Sequence, residues 1–181
     1  MNPPFIQGKD IFLRAAAESD AALFARAYNS PGARDALYIA LPTSAEQQRE
    51  SIRNLVNDHT TILFTICLNN NGEAIGLCSL VRIDWPGRMA TFYIAIADEE
   101  QRSRGYGGQA LALMTDYAFN TVNLNRLQLH VSVENKRAVK AYKRQGFIIE
   151  GTLRQAMYYD GRYIDFYVMG LLRNEYQKQQ R

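Results

Sequence analysis

The chain has 181 residues, 47% hydrophobic and 22% charged, the balance of an ordinary soluble globular protein with one full core. A formal net charge of +3 is too small to argue for a nucleic-acid partner, and the longest apolar runs fall far short of the ~20 residues of a membrane span. Cys67 and Cys78 lie inside apolar runs, and His59 and His130 keep no ligand spacing, which argues against a metal site and for buried reduced thiols in a cytoplasmic protein.

At the N-terminus, Met1-Asn2-Pro3-Pro4 lacks the basic region and apolar stretch of a secretory signal. Ile11-Phe12-Leu13-Arg14 reads as a short first strand. Ser19 or Asp20 stands where a cap is needed for a helix running to about Asn29, which Ser30-Pro31-Gly32 breaks. Ser44-Ala45-Glu46-Gln47 makes a capping box that opens a second helix, reaching about Asn57. Thr60 to Leu68 and Ala74 to Ile83 are β-branched and apolar, and the Asn-Gly end of Asn69-Asn70-Asn71-Gly72 joins them as a hairpin. Trp85-Pro86-Gly87 turns into a third strand, Met89 to Ala97.

Further on, Ala110, Leu111, Met114, Tyr117, Ala118 and Thr121 recur at helical spacing over Gln109 to Asn120. Arg126 to Val133 alternates, with Leu127, Leu129 and Val131 on one face and Gln128, His130 and Ser132 on the other. Glu134 to Gln145 reads as a helix stopped by Gly146. Phe147 to Met157 and Tyr163 to Leu172 form a last hairpin about Tyr159-Asp160-Gly161-Arg162. Asn174 to Arg181 is polar and expected to fray. With no linker and no repeat, residues 1–181 read as one domain. The order βααβββαβαββ predicts an α+β fold: a mixed, mostly antiparallel sheet of about seven strands flanked by about four helices.

Between the third strand and the third helix lies Gln101-Arg102-Ser103-Arg104-Gly105-Tyr106-Gly107-Gly108. Glycines admit main-chain N–H groups close to an anion, and the helix that follows turns its positive dipole end to the same place. The loop is built to meet phosphate. Gly105 to Ala110 satisfies GxGxxA, but seven polar residues, Asp98 to Arg104, separate it from its strand, and no acidic residue follows at the ribose-binding distance. A Rossmann dinucleotide loop has neither property.

Arg102 to Gly107 instead resembles the R/Q-x-x-G-x-G/A motif of the GNAT superfamily of N-acyltransferases. Asn135 to Phe147 resembles that family's N-x-x-A-x-x-x-Y-x-x-x-G-F segment, in the right order and after a predicted strand. The likeness runs from about Ile11 to Leu172. The last hairpin reads like the branch holding ribosomal-protein N-terminal (alanine) acetyltransferases and spermidine N-acetyltransferases. The resemblance implies an acetyl-CoA-dependent N-acetyltransferase without a metal, acting on a primary amine of a small molecule, a polyamine or a protein N-terminus. It is compatible with a homodimer. A longer acyl group and a CoA-binding sensor without turnover are the alternatives.

By the same resemblance, the main chain of Arg102, Ser103, Arg104, Gly105, Tyr106, Gly107 and Gly108 holds the CoA pyrophosphate. Ile94, Ala95 and Ile96 expose main-chain groups to pantetheine and polarise the thioester. Asn135 and Ala138 flank the cofactor, and Tyr142 protonates the departing thiolate. Asn135, Ala138 and Tyr142 share one helix face, which suits core packing as well as catalysis. Relatives carry a glutamate base at the position of Thr91 or Phe92. Neither residue is acidic, so the base stays unassigned between water and Asp84, itself a natural turn residue. Lys136, Arg137, Lys140, Lys143 and Arg144 form either a solvated helix face or part of a phosphate site. Tyr28, Tyr38, Trp85, Tyr158 and Tyr159 are candidates for the acceptor side, where no carboxylate cluster marks a polyamine.

Overall fold

Two strands set the architecture. Ile62–Leu68 (β3) and Ala74–Asp84 (β4) carry unbroken buried runs, Phe64 to Leu68 and Ile75 to Leu80. A strand with one wet face alternates, so runs like these need cover on both faces. The computed structural model, which describes residues 3–33 and 39–179, supplies that cover. One eight-stranded sheet runs in the order β1-β2-β3-β4-β5-β6-β8-β7, with β1 at Ile6–Gln7, β2 at Ile11–Ala15, β5 at Met89–Ile96, β6 at Arg126–Ser132, β7 at Ile148–Tyr159 and β8 at Arg162–Leu172. Every neighbouring pair is antiparallel except β5 with β6.

Helices α3 (Tyr106–Asp116), α4 (Lys136–Arg144) and α5 (Arg173–Gln179) cover one face. There Ala110, Leu111 and Met114 pack with Ile66, Leu80, Leu127 and Leu129 in the main core. Helices α1 (Ala21–Asn29) and α2 (Ala45–Leu55) cover the other, where Phe24, Ala27 and Ile52 meet Leu77, Ala95 and Ala97. The capping box at α2 forms as its sequence requires: Gln47 N–H donates to Ser44 Oγ at 3.1 Å, and Ser44 N–H to Gln47 Oε1 at 2.8 Å. Asp160 and Gly161 both take positive φ, 49° and 77°, the tight two-residue hairpin turn between β7 and β8. Cys67 and Cys78 are free thiols, each fully buried. Among the described residues no helix is long and apolar enough to cross a membrane.

The expected elements are present, with three differences. An eighth strand, β1, pairs Ile6 with Leu13 and Gln7 with Phe12; two residues are too few to leave a periodic signal. Helix α3 starts at Tyr106 rather than Gln109 and passes into a π-helical turn at Tyr117–Thr121. The polar stretch expected to fray is helix α5 through Gln179. Its one aromatic residue explains this: Tyr176 is 4% exposed, its ring lies 5.2 Å from that of Phe119, and its hydroxyl donates to Asp116 Oδ1 at 3.0 Å.

Asp20 stands at the N-cap position of α1, but its side chain turns inward instead of capping. The carboxylate accepts two bonds from the Arg14 guanidinium at 2.7 and 2.8 Å, one from Thr65 Oγ1 at 2.7 Å and one from Ala17 N–H at 2.9 Å. Burial pushes this carboxyl up, but Arg14, Ala17 and Thr65 together outweigh it and hold it below the usual carboxylate range. The network pins α1 across β2 and β3 on the face opposite α3. Asp20→Asn leaves the buried Arg14 charge unmatched and is expected to lower unfolding free energy by about 3 kcal/mol at neutral pH in urea titrations. A depressed carboxyl pKa stabilises above the unfolded value and loses that contribution as pH falls through the folded one. The gap between variant and wild type is therefore expected to close in acid.

Candidate active site

The site begins where two strands part. β5 and β6 pair in parallel at Met89↔Arg126, Ala90↔Leu127 and Thr91↔Gln128, and there the ladder ends. β5 stays bonded to β4 as far as Ile96↔Gly76, and β6 to β8 as far as Ser132↔Phe166. The sheet therefore splits between them. A cavity of about 830 Å³ occupies the split, a volume within the range of small-molecule sites. Ile94, Ala95 and Ile96 line one side and Ser132 the other. A strand edge without a partner presents N–H and C=O groups to whatever enters.

Arg102 fixes the end of β5. Its Nε donates to Ile96 O at 3.1 Å, and its Nη2 reaches Ile96 O at 3.0 Å, Ala97 O at 3.3 Å and Ser30 Oγ at 2.7 Å. A Cβ on Gly32 would lie 2.2 Å from Arg102 Nη1, so glycine is what lets the chain after α1 rest against the guanidinium. Arg102 lines the cavity, yet its charge is spent on carbonyls rather than aimed at a ligand.

Beyond it the loop turns sharply. Ser103 has φ 70°, and Gly105, the N-cap of α3, has φ 88°. No side chain caps this helix, so its first N–H groups are free for an anion. A Cβ at Gly105 or Gly108 would meet nothing within 4 Å, which leaves an open cradle over the loop. Gly107 lines the cavity as well, whereas Arg104 and Tyr106 stand off its wall. Arg104 Nε donates to Glu100 O at 2.8 Å, and Tyr106 packs against the main core.

Helix α4 forms the facing wall. Asn135 is its N-cap, with Oδ1 accepting from Ala138 N–H at 3.0 Å. Its amide nitrogen has no hydrogen bond among the described residues. Arg137, Lys140 and Arg144 line the cavity, spaced i, i+3 and i+7 on one helix face; Lys136 and Lys143 do not line it. Arg137 donates to the Ser103 hydroxyl and so ties α4 to the loop. Across the rim Arg162 pairs with Glu134, which holds the Glu134 carboxyl below its usual range. Tyr142 also lines the cavity, half-buried, its ring 6.1 Å from Phe147 at an interplanar angle of 61°. Burial pushes its phenol up to about 12.

None of the positions considered for a base supplies one. Thr91 is 1% exposed, and its hydroxyl accepts from Gln128 Nε2 at 3.3 Å and, at the 3.5 Å limit, from Arg82 Nη2. Phe92 is a core residue. Asp84 closes its turn by accepting from Gly87 N–H at 3.0 Å, at the other end of β5 from Ile94.

The aromatic candidates for the acceptor side do not gather. Trp85 donates to His59 O at 2.8 Å in the turn before β5, and Tyr158 is exposed against Tyr163. Tyr159 lines the cavity, Tyr28 lies beside Tyr93 on the α1 side of the sheet, and Tyr38 falls outside the described residues. Sequence reasoning missed Ser132 and Arg162 as wall residues, and gave Gln101 only as the start of the phosphate loop. Gln101 carries the clearest sign of a ligand: its Oε1 is buried with no hydrogen-bond partner among the described residues.

Comparison with known proteins gives the family and the fold. The family described as acetyltransferase (GNAT) domain matches residues 10–148. A spermidine N(1)-acetyltransferase of Vibrio cholerae is 39% identical over 102 residues, 56% of this chain and 58% of that protein, so the match covers little more than half of the relative's length. An uncharacterized N-acetyltransferase of Bacillus licheniformis, p20, is 29% identical over 168 residues, 91% of this chain and 93% of its own. A crystal structure of the Vibrio cholerae spermidine N-acetyltransferase with CoA and spermine superposes with a TM-score of 0.87 at 28% identity, covering 94% of this chain and 99% of that one.

The open cradle is directly testable. Gly108→Val puts a side chain into the space over the loop without a clash in the free protein. It is expected to weaken CoA binding by calorimetry about tenfold or more, roughly 1.4 kcal/mol. The thermal midpoint should stay within a few degrees.

Proposed function

The chain belongs to the GNAT acetyltransferase family, and on that premise we propose that it moves the acetyl group of acetyl-CoA to a primary amine. The observation that carries this reading is Tyr142 standing in the wall of a split sheet, beside an uncapped helix N-terminus and a basic helix face. The split suits a pantetheine arm, whose amides replace the missing strand partner along Ile94 to Ile96. The Asn135 amide nitrogen and Gln101 Oε1 offer one donor and one acceptor beside it. The loop and the first turn of α3 take the pyrophosphate. Arg137, Lys140 and Arg144 take the remaining phosphate charge.

The chemistry then divides among few groups. Main-chain N–H groups on the β5 edge polarise the thioester carbonyl at fixed distance and without reorganisation. The amine attacks the carbonyl carbon; a C–N bond forms, the C–S bond breaks and the nitrogen loses a proton. The departing thiolate takes the phenol proton of Tyr142. With its pKa near 12, that phenol keeps its proton throughout the working range. An ordinary thiol titrates near ~8.5; the same dry surroundings that raise the phenol raise the thiol too, which narrows the difference between them.

Spermidine and spermine are the acceptors to test first, because relatives carry those names. Their flanks here lack an evident carboxylate cluster among the described residues, so a simple alkylamine and a peptide with a free N-terminus belong in the same panel. A second reading, CoA binding without turnover, draws on Thr91 standing where relatives carry an acid. Free-thiol release from acetyl-CoA separates the two: release with any amine supports transfer, and tight CoA binding without release supports the second reading.

Tyr142→Phe removes the proton and keeps the ring. It is expected to lower kcat by at least about tenfold with CoA affinity nearly unchanged. Because the phenol titrates near 12, wild-type kcat should show no falling limb up to about pH 10. Unchanged turnover in the variant would remove Tyr142 from the mechanism.

A further inference from the structure

We propose that His130 is the general base of this transfer, accepting the amine proton across the split from Tyr93. The proposal rests on the acetyltransferase reading and supplies the group that Thr91, Phe92 and Asp84 do not.

The register supplies the geometry. Thr91↔Gln128 is the last bonded pair of β5 and β6. Two residues further along each strand lie Tyr93 and His130, on the same face as that pair because side chains alternate. Leu127, Leu129 and Val131 point the other way, into the core under α3 and α4. His130 therefore leaves the sheet on the α1 side at the start of the split, where it is not among the residues that line the cavity. The anion cradle and Tyr142 belong to α3 and α4 on the opposite side. An amine entering against a thioester held between the strands comes from the side that His130 faces. Along β5, Tyr93 is one to three residues from the edge at Ile94 to Ile96, a span of ~3–10 Å.

The ring is also in a usable state. It is half-buried and makes no hydrogen bond to protein among the described residues, so a nitrogen lone pair is free. Burial first, and the Arg82 guanidinium second, push it below its ordinary 6.5. At pH 7 it is neutral and can accept. Its other neighbours leave this balance alone. Arg126, four residues back on the same face, is neutralised by Glu150. Glu134, beyond Ser132, is paired with Arg162. Val168 lies opposite on β8, Tyr93 faces it from β5, and burial pushes the phenol of the half-buried Tyr28 up.

The step balances. Free amine attacks, the nitrogen grows strongly acidic as the C–N bond forms, and His130 takes the one proton lost there. Tyr142 gives one proton to sulfur. Solvent then relieves His130 and restores Tyr142, so the reaction with free amine releases no net proton.

The test is kcat against pH with saturating acetyl-CoA and amine. Wild type is expected to lose kcat in acid with an apparent pKa below about 6.5. His130→Gln should lower kcat at pH 7 about a hundredfold and abolish that acid limb, with CoA affinity unchanged. His130→Ala should regain activity when imidazole is added. A His130→Gln enzyme with full kcat and the same limb overturns the proposal. So does an equal loss at every pH without imidazole rescue in His130→Ala, which is the mark of a packing role. A wild type that binds CoA but releases no thiol, whichever amine is added, overturns the acetyltransferase reading itself, and this proposal with it.

Discussion

Past Thr91 and Gln128, the last five residues of β5 and the last four of β6 belong to one sheet without bonding to each other. An unpaired main-chain group buried in a sheet costs about 1–3 kcal/mol. Such a break persists only where the surroundings hold both edges in place. Here β4 holds β5, β8 holds β6, and Arg102 clasps the last carbonyls of β5 while reaching Ser30 at the end of α1. The cavity is the space this produces, and the ligand best suited to it carries amides to complete the edge.

The two faces of the sheet then divide the work. On one, the glycine loop, the free end of α3 and the basic face of α4 gather positive charge around a cradle with no side chain in it. On the other, Asp20 and Arg14 pin α1, and the strands offer Tyr93, Gln128 and His130, with Arg82 near His130 and Arg126 paired to Glu150. The proposed reaction between an anionic carrier and an amine would gain from that separation, each partner reaching the gap from its own side.

The glycine loop and the Asn135–Tyr142 spacing were legible in the sequence because their chemistry demands particular residues at fixed local distances. The division of the basic cluster was not legible: Lys136, Lys140 and Lys143 repeat at helical spacing as well as Arg137, Lys140 and Arg144 do, and only the cavity wall tells the two sets apart. Arg102 was legible as a cation but not as a clasp, since the carbonyls it holds are brought to it by the turn of the loop. The split itself was implied by the family resemblance and could not be read from the residues. It depends on which strands stop bonding, and residue type on a strand does not record its neighbour's departure. Tyr176 makes the same point at small scale: one ring in a polar tail decides whether that tail docks.

The two cysteines carry a practical consequence. Burial raises both thiols, Cys78 far out of reach and Cys67 less so beside Arg14. Both are also fully buried and only the thiolate is reactive, so the native protein is expected to react slowly with a disulfide or maleimide reagent. In a test of the proposed transfer, thiol counted early is then expected to come from CoA and not from the protein. Once the chain unfolds, two new equivalents report the loss of the core. One colour change thus follows turnover while the sheet is intact and its collapse when it is not.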